Sequence, residues 1–205
     1  MPRPPRYDES QLLDAAVRLA AAGGPAAVTM AAVAKESGAP NGSVYHRFPQ
    51  RTVLLAELWL RTVERFQVGY RAALDSAPQP LSAARAAARE AVGWCRANPG
   101  EAAVLLHGPE AFGRRDWPEE YVRRADRGNR HALGAVAALA AGLGASHPAD
   151  IERVTLALID LPIALVRRHM RDGGTLPAHA EQLAEDCTSS LLADLQPHEG
   201  GGSST

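Results

Sequence analysis

Thr29, Asn41, Ser43, Tyr45, His46, Arg47 and Arg51 form a short run of side chains suited to gripping a polyanion. Hydroxyls, an imidazole and guanidinium groups donate to phosphate oxygens without requiring a particular base, whereas asparagine can pair with adenine and arginine with guanine. Gly42, among them, lets a backbone come close. The residues between them say how they are carried. Thr29 is a good N-cap for a helix from Met30, on which Met30, Val33 and Ala34 share one face. Ser37-Gly38 ends that helix, and Pro40 cannot continue it. A second helix opens near Asn41, and its only strong apolar pair is Val44 and Phe48, four residues apart, which must point inward. A helix with so little apolar surface exists to present its polar side. Helix, glycine-containing turn and second helix make a helix-turn-helix, whose second member enters the DNA major groove.

Ala32-Val33-Ala34, Gly38-Ala39-Pro40 and Ser43-Val44-Tyr45-His46-Arg47-Phe48, followed by Arg51 and Leu54, resemble the DNA-binding signature of the tetracycline-repressor (TetR) family of transcriptional regulators, from about Leu12 to Leu58. Two positions depart from the pattern. Arg51 stands where the family usually has lysine, which keeps the charge, and Ala31 lacks the longer side chain with which some members add a base contact. The resemblance implies that Thr29, Tyr45, His46 and Arg51 hold phosphates. Base reading then falls to Asn41, Gly42, Ser43 and Arg47 at or near the amino end of the second helix. It further implies a homodimer on palindromic operator DNA, most often a repressor released by a small-molecule effector. The alternatives are a helical interaction module, or an activator without a small-molecule effector.

The elements that position this motif follow from apolar spacing and breakers. Asp8 and Gln11 give a capping-box start to a first helix with Leu12, Ala16, Leu19 and Ala20 on one stripe, closed by Gly23-Gly24-Pro25. A long helix from about Gln50 to Asp75 follows the motif. Further helices are expected over 81–97, 99–107, 118–143, 150–172 and 177–195, with Pro162 kinking the penultimate one. The fold class is all-α with about nine helices. Residues 1–52 are expected to form the DNA-binding domain, with 1–7 a flexible arm. Residues 53–196 would form a helical effector-binding and dimerisation domain, and 197–205 a disordered tail.

Composition narrows the alternatives. Hydrophobic residues make up 46% of the 205 residues and aromatics 5%, with alanine abundant, which favours helix over sheet. Net charge is −1, so the protein as a whole is no polyanion binder, yet residues 1–75 hold nine Lys/Arg against seven Asp/Glu while the remainder holds thirteen against sixteen. A modestly basic end suits a local phosphate surface, and random scatter of charge accounts for these counts nearly as well. Cys95 and Cys187 show neither disulfide nor zinc spacing and read as small buried residues. No cofactor, metal or catalytic constellation is indicated, so an enzyme is not expected. No secretion signal or membrane span is visible, and the expected location is cytoplasmic.

Two further expectations concern the rest of the chain. Trp94, His107, Phe112, Trp117 and Tyr121 lie in or beside a glycine-rich break, and the resemblance implies that they line a pocket for an apolar or aromatic effector; as residues alone they are more often core. The apolar rows of the last two long helices, Leu158 and Leu165 among them, would face the same helices of a second protomer in a four-helix contact; the alternative is the core of their own protomer, and some of each must be true.

Overall fold

A computed structural model describes residues 8–171 and 174–195. The arm at 1–7 and the tail at 197–205 lie outside them. In chain order the helices are α1 (Glu9–Gly23), α2 (Met30–Ser37), α3 (Asn41–Arg47), α4 (Arg51–Leu74), α5 (Pro80–Ala97), α6 (Pro99–His107), α7 (Glu119–Gly142), α8 (Pro148–Thr155), α9 (Leu161–Met170) and α10 (Ala180–Leu192). A π turn, Leu156–Asp160, joins α8 to α9 without leaving helical backbone. Counting that pair as one interrupted helix gives nine helical rods, and no strand occurs among the described residues. The all-α reading therefore stands.

Two compact units are present, Met1–Arg65 with Asn98–Arg127, and Phe66–Ala97 with Gly128–Thr205. The boundaries at 65 and 127 fall inside α4 and α7. This division follows packing and differs from the split by task at residue 52. Residues 98–127 share a unit with the helix-turn-helix because α6 packs on α1 and because Val104, Phe112 and Trp117 join the apolar cluster beneath α1 to α4.

In the first unit the capping box is formed: Asp8 Oδ1 accepts from Gln11 N at 2.8 Å, and Gln11 Oε1 accepts from Asp8 N at 3.4 Å. Leu12, Leu13, Val33, Val44, Phe48, Leu54 and Leu58 meet in one core, each such side chain contributing roughly 1.5–3 kcal/mol by leaving water. Trp59 tilts against Phe112 with ring centroids 5.6 Å apart, and Trp117 Nε1 donates to Phe112 O at 2.9 Å, so this indole is satisfied as well as buried. Arg124 of α7 clamps α4: Nε and one terminal nitrogen reach the two Glu64 oxygens at 2.6 Å, and the other terminal nitrogen reaches Glu57 at 2.8 Å. The Glu64 hydrogen bonds are the main reason that this guanidinium holds its proton even more firmly than usual.

In the second unit α5 lies along α10. Ala83, Ala84, Ala87, Ala88 and Ala91 keep the α5 side thin and buried. Arg85, Arg89 and Arg96 on α5 pair with Glu181 and Glu185 on α10. Exposed pairs of this kind are worth about 0–1 kcal/mol each and mainly fix register. Cys95 is buried and its thiol is pushed up to about 12 by desolvation, which leaves it inert at neutral pH; Cys187 is half-buried, and both are free thiols.

Pro162 has a specific consequence. Proline has no N–H, so the preceding turn loses a donor. The backbone answers with the π turn, in which Leu161 N donates to Leu156 O. The two carbonyls next along are taken by side chains from other helices: Tyr70 Oη donates to Leu158 O at 3.0 Å and Thr188 Oγ1 to Ala157 O at 3.2 Å. Both donors are buried, and burial raises the Tyr70 phenol well above its ordinary value, keeping it protonated. The structure thus turns the expected kink into a π turn capped from α4 and α10. Tyr70→Phe is expected to cost about 1–2 kcal/mol in urea unfolding by orphaning Leu158 O. In a Pro162→Ala background, where the backbone regains its donor, the same change is expected to cost distinctly less.

Candidate nucleic-acid interface

The motif is built as its residue types require. Thr29 Oγ1 accepts from Ala32 N at 3.1 Å, capping α2, and Gly38 ends it with a left-handed φ of 70° that a side chain would strain. Val44 and Phe48 are buried, which fixes the roll of α3 and turns its other side outward. Asn41, Gly42, Tyr45, His46 and Arg47 are exposed, and Ser43 is half-buried. Tyr45 is 55% exposed, an unusual state for a large ring with no partner to cover it. A Cβ added at Gly42 would meet nothing within 4 Å, so this end of α3 is open to a close approach.

Arg51 does more than offer a charge. Its Nε donates to Val28 O and a terminal nitrogen donates to Pro25 O, both at 2.7 Å. The guanidinium therefore braces the 25–28 turn that leads into Thr29, and only its remaining N–H groups are left for a phosphate. The bracing also gives arginine an advantage over lysine here, because a planar fork reaches two carbonyls in fixed directions. Arg51→Lys is expected to keep most of the charge-dependent affinity but to lose about 1 kcal/mol of stability in urea, measured by circular dichroism. Arg47 lies 3.7 Å from Glu9 at the start of α1, and Arg18 pairs with Glu36 at 2.7 Å between α1 and α2. Acids thus flank the basic side chains without occupying the outward face of Tyr45 and His46.

The other expected site residues do not form one group. Phe112 and Trp117 belong to the first unit's core, His107 is exposed with its ring edge-on to Phe112 at 6.4 Å, and Tyr121 is half-buried. Desolvation first, then Glu57, raises the Tyr121 phenol above its ordinary value. Trp94 belongs to the second unit, where it meets Phe66 edge-to-face at 5.4 Å. Leu158 is 2% exposed and packed in the core of its own unit, which removes it as a contact with a second protomer; Leu165 is half-buried. The exposed large apolar side chains of α8 to α10 are instead Ile151, Leu156, Ile163 and Leu183. Sequence reasoning placed Ile151 in the apolar row but missed Leu156, Ile163, Leu183 and Arg124, because periodicity gives a helix an inner side without saying which of its margins stays uncovered.

A short helix shown on its polar side, braced from two directions, defines a helix-turn-helix DNA-binding protein. Residues 12–58 match the family model of the bacterial regulatory proteins of the tetR family. No curated protein matches the chain by sequence. Solved structures do match in fold: a TetR-like transcriptional regulator from Rhodococcus sp. RHA1 at 24% identity, covering 95% of this chain and 99% of that one, TM-score 0.68. A second is FadR from Bacillus subtilis in complex with stearoyl-CoA, at 14% identity over 91% of this chain and 98% of that one, TM-score 0.67. A third is the ketosteroid transcriptional regulator KstR2 of Mycobacterium tuberculosis, at 18% identity over 93% and 97%, TM-score 0.65. The segment at 12–58 is thus that of the tetR-family regulators' DNA-binding head, and the fold of the chain is similar to that of solved regulators of this kind. No described helix is long and apolar enough to cross a membrane.

Proposed function

We propose that the protein is a repressor that acts in the cytoplasm as a homodimer, holds a palindromic operator, and lets go when a small apolar or aromatic molecule binds. The observation that carries the DNA reading is the outward side of α3, where Tyr45, His46 and Arg47 stand exposed on a helix anchored by Val44 and Phe48. Thr29, Tyr45, His46 and Arg51 hold phosphates. Asn41, Gly42, Ser43 and Arg47 face base edges. By task, residues 1–52 bind DNA, and 53–196 receive the effector and the second protomer.

Dimerisation has a physical motive, since one short helix reads too few base pairs. Ile151, Leu156, Ile163 and Leu183 support a second copy as the occupant of the α8 to α10 side, where an apolar groove runs between Leu156, Leu161, Cys187 and Leu191. The effector reading is supported by likeness: similar structures include one solved with stearoyl-CoA, whose acyl chain is apolar, and one named for ketosteroids, whose ring system is apolar. Release requires an effector that favours the DNA-incompetent arrangement, and ordinary coupling of about 1–3 kcal/mol lowers DNA affinity roughly 5–150-fold. Helix α4 runs unbroken from Arg51 to Leu74 and is the chain's direct connection from motif to second unit. The test is selection of bound genomic fragments, followed by a screen of apolar compounds for release of the selected duplex. A compound that lowers affinity at least fivefold is expected, and failure of every compound that binds the protein to do so removes the switch.

A further inference from the structure

Five arginines lie among residues 8–65, and four of them make close contacts. Arg18 lies 2.7 Å from Glu36, Arg61 2.8 Å from Asp14 and Arg65 2.5 Å from Glu101, while Arg51 donates to two backbone carbonyls. Arg47 is different. Its Nε lies 3.7 Å from Oε2 of Glu9, and it has no other ion-pair or hydrogen-bond partner among the described residues. That separation allows Coulomb attraction but lies beyond hydrogen-bond reach, so the carboxylate restrains the guanidinium without occupying any of its five N–H groups. Glu9 faces the Nε edge of a side chain that is 41% exposed. The terminal fork, which can take guanine O6 and N7 together, stays available.

Glu9 is itself held by the backbone. It is the first residue of α1, and the capping box of Asp8 and Gln11 fixes the turn on which it stands. Both charges also lie where their helix dipoles favour them, the acid in the first turn of α1 and the base in the last turn of α3. Asp14, Glu36 and Glu57 each have a cation of their own, in Arg61, Arg18 and Arg124, which leaves Glu9 to Arg47. Ordering a free arginine on a base edge costs conformational entropy, and a side chain already restrained by a countercharge loses less. The same carboxylate repels phosphate, which opposes use of Arg47 as a backbone contact.

We propose that Glu9 is a positioning residue that sets DNA specificity: it holds Arg47 by the Nε edge, so that the terminal fork selects guanine at one base pair of each half-site. This rests on the base-reading role given to Arg47 above and adds the residue that makes the reading selective.

The test is anisotropy titration of the full-length protein, at one salt concentration, on the selected operator and on duplexes with each base pair replaced symmetrically in both half-sites. Arg47→Ala is expected to lose the preference at one guanine, by about 5–150-fold per half-site. Glu9→Gln, nearly isosteric, is expected to reduce the preference at that same position about two- to fivefold per half-site, the scale of an exposed ion pair. Preferences at the other positions and the melting temperature are expected to stay as in wild type, whereas a merely structural role would weaken all positions alike. In an Arg47→Ala background, Glu9→Gln is expected to change no preference. Glu9→Lys, which repels Arg47, is a second variant expected to lower the preference further while binding scrambled duplex more tightly. A Glu9→Gln protein that keeps the wild-type preference at the Arg47 position, or loses preference equally at every position, overturns the positioning role and leaves base reading by Arg47 standing. An Arg47→Ala protein with no altered position overturns both.

Discussion

Leu158→Asp is expected to unfold the protein, whereas Ile163→Asp is expected to leave it folded and monomeric. Both residues lie on the interrupted helix that follows Pro148, five positions apart. Leu158 is 2% exposed, packed with Tyr70, Val154 and Leu192, and its carbonyl holds the Tyr70 hydroxyl. An aspartate there removes apolar contacts and places a carboxylate where no cation waits, a combined loss of about 4–5 kcal/mol or more. Against a total stability of about 5–15 kcal/mol, that removes most of the folded population or lowers the melting temperature drastically. Ile163 is 43% exposed, so its replacement leaves the core of its own unit intact. In a dimer that covers α9, the same carboxylate would have to be desolvated against apolar groups, and the dimer would dissociate. Thermal melting by circular dichroism with sedimentation velocity separates the cases. A Leu158→Asp protein that melts like wild type would contradict the packing described here, and a dimeric Ile163→Asp protein would move the interface off α9.

Tyr45→Ala is expected to weaken operator binding by about 1–3 kcal/mol without altering stability, since a side chain 55% exposed makes little packing to lose. The tyrosine hydroxyl is neutral, so the salt dependence of binding is expected to remain as in wild type. Arg51→Ala differs on both counts. Removing a cation from a phosphate reduces the slope of log affinity against log salt by about 1, and losing the bonds to Val28 O and Pro25 O also lowers stability. Asn41→Ala is expected to change base preference more than overall affinity, because an amide at the amino end of α3 reads a base edge and carries no charge. Anisotropy titrations at two or more salt concentrations, on operator and on scrambled duplex, give all three quantities. A Tyr45→Ala protein with wild-type affinity would remove the α3 side as the contact surface.

The motif was legible because each of its boundaries is set by a local rule. Thr29 caps, Gly38 takes the left-handed conformation, Pro40 forbids continuation, and Val44 with Phe48 fixes the buried side; none of these depends on what lies elsewhere in the chain. Pro162 was half legible. The loss of a donor follows from the residue itself, but its resolution depends on Tyr70 and Thr188, which reach the freed carbonyls from distant parts of the sequence. Leu158 shows the same limit from the other side: a row of apolar residues on a helix shows that something covers it, not whether the cover is the same chain or another. The aromatics of the middle segments were ambiguous for the same reason, and Phe112 and Trp117 proved to be core of the first unit, while Trp94 stands in the second.

The claim on which everything else rests is that α3 reads a DNA sequence as a member of a pair. Anisotropy titration of a labelled duplex selected from genomic fragments, against the same duplex scrambled and at one fixed physiological salt concentration, tests it directly. Affinity for the selected duplex is expected to be at least about 1,000-fold above that for the scrambled one, with a stoichiometry of two protomers per duplex. Equal affinity for the two duplexes, or saturation by a single protomer, would contradict it.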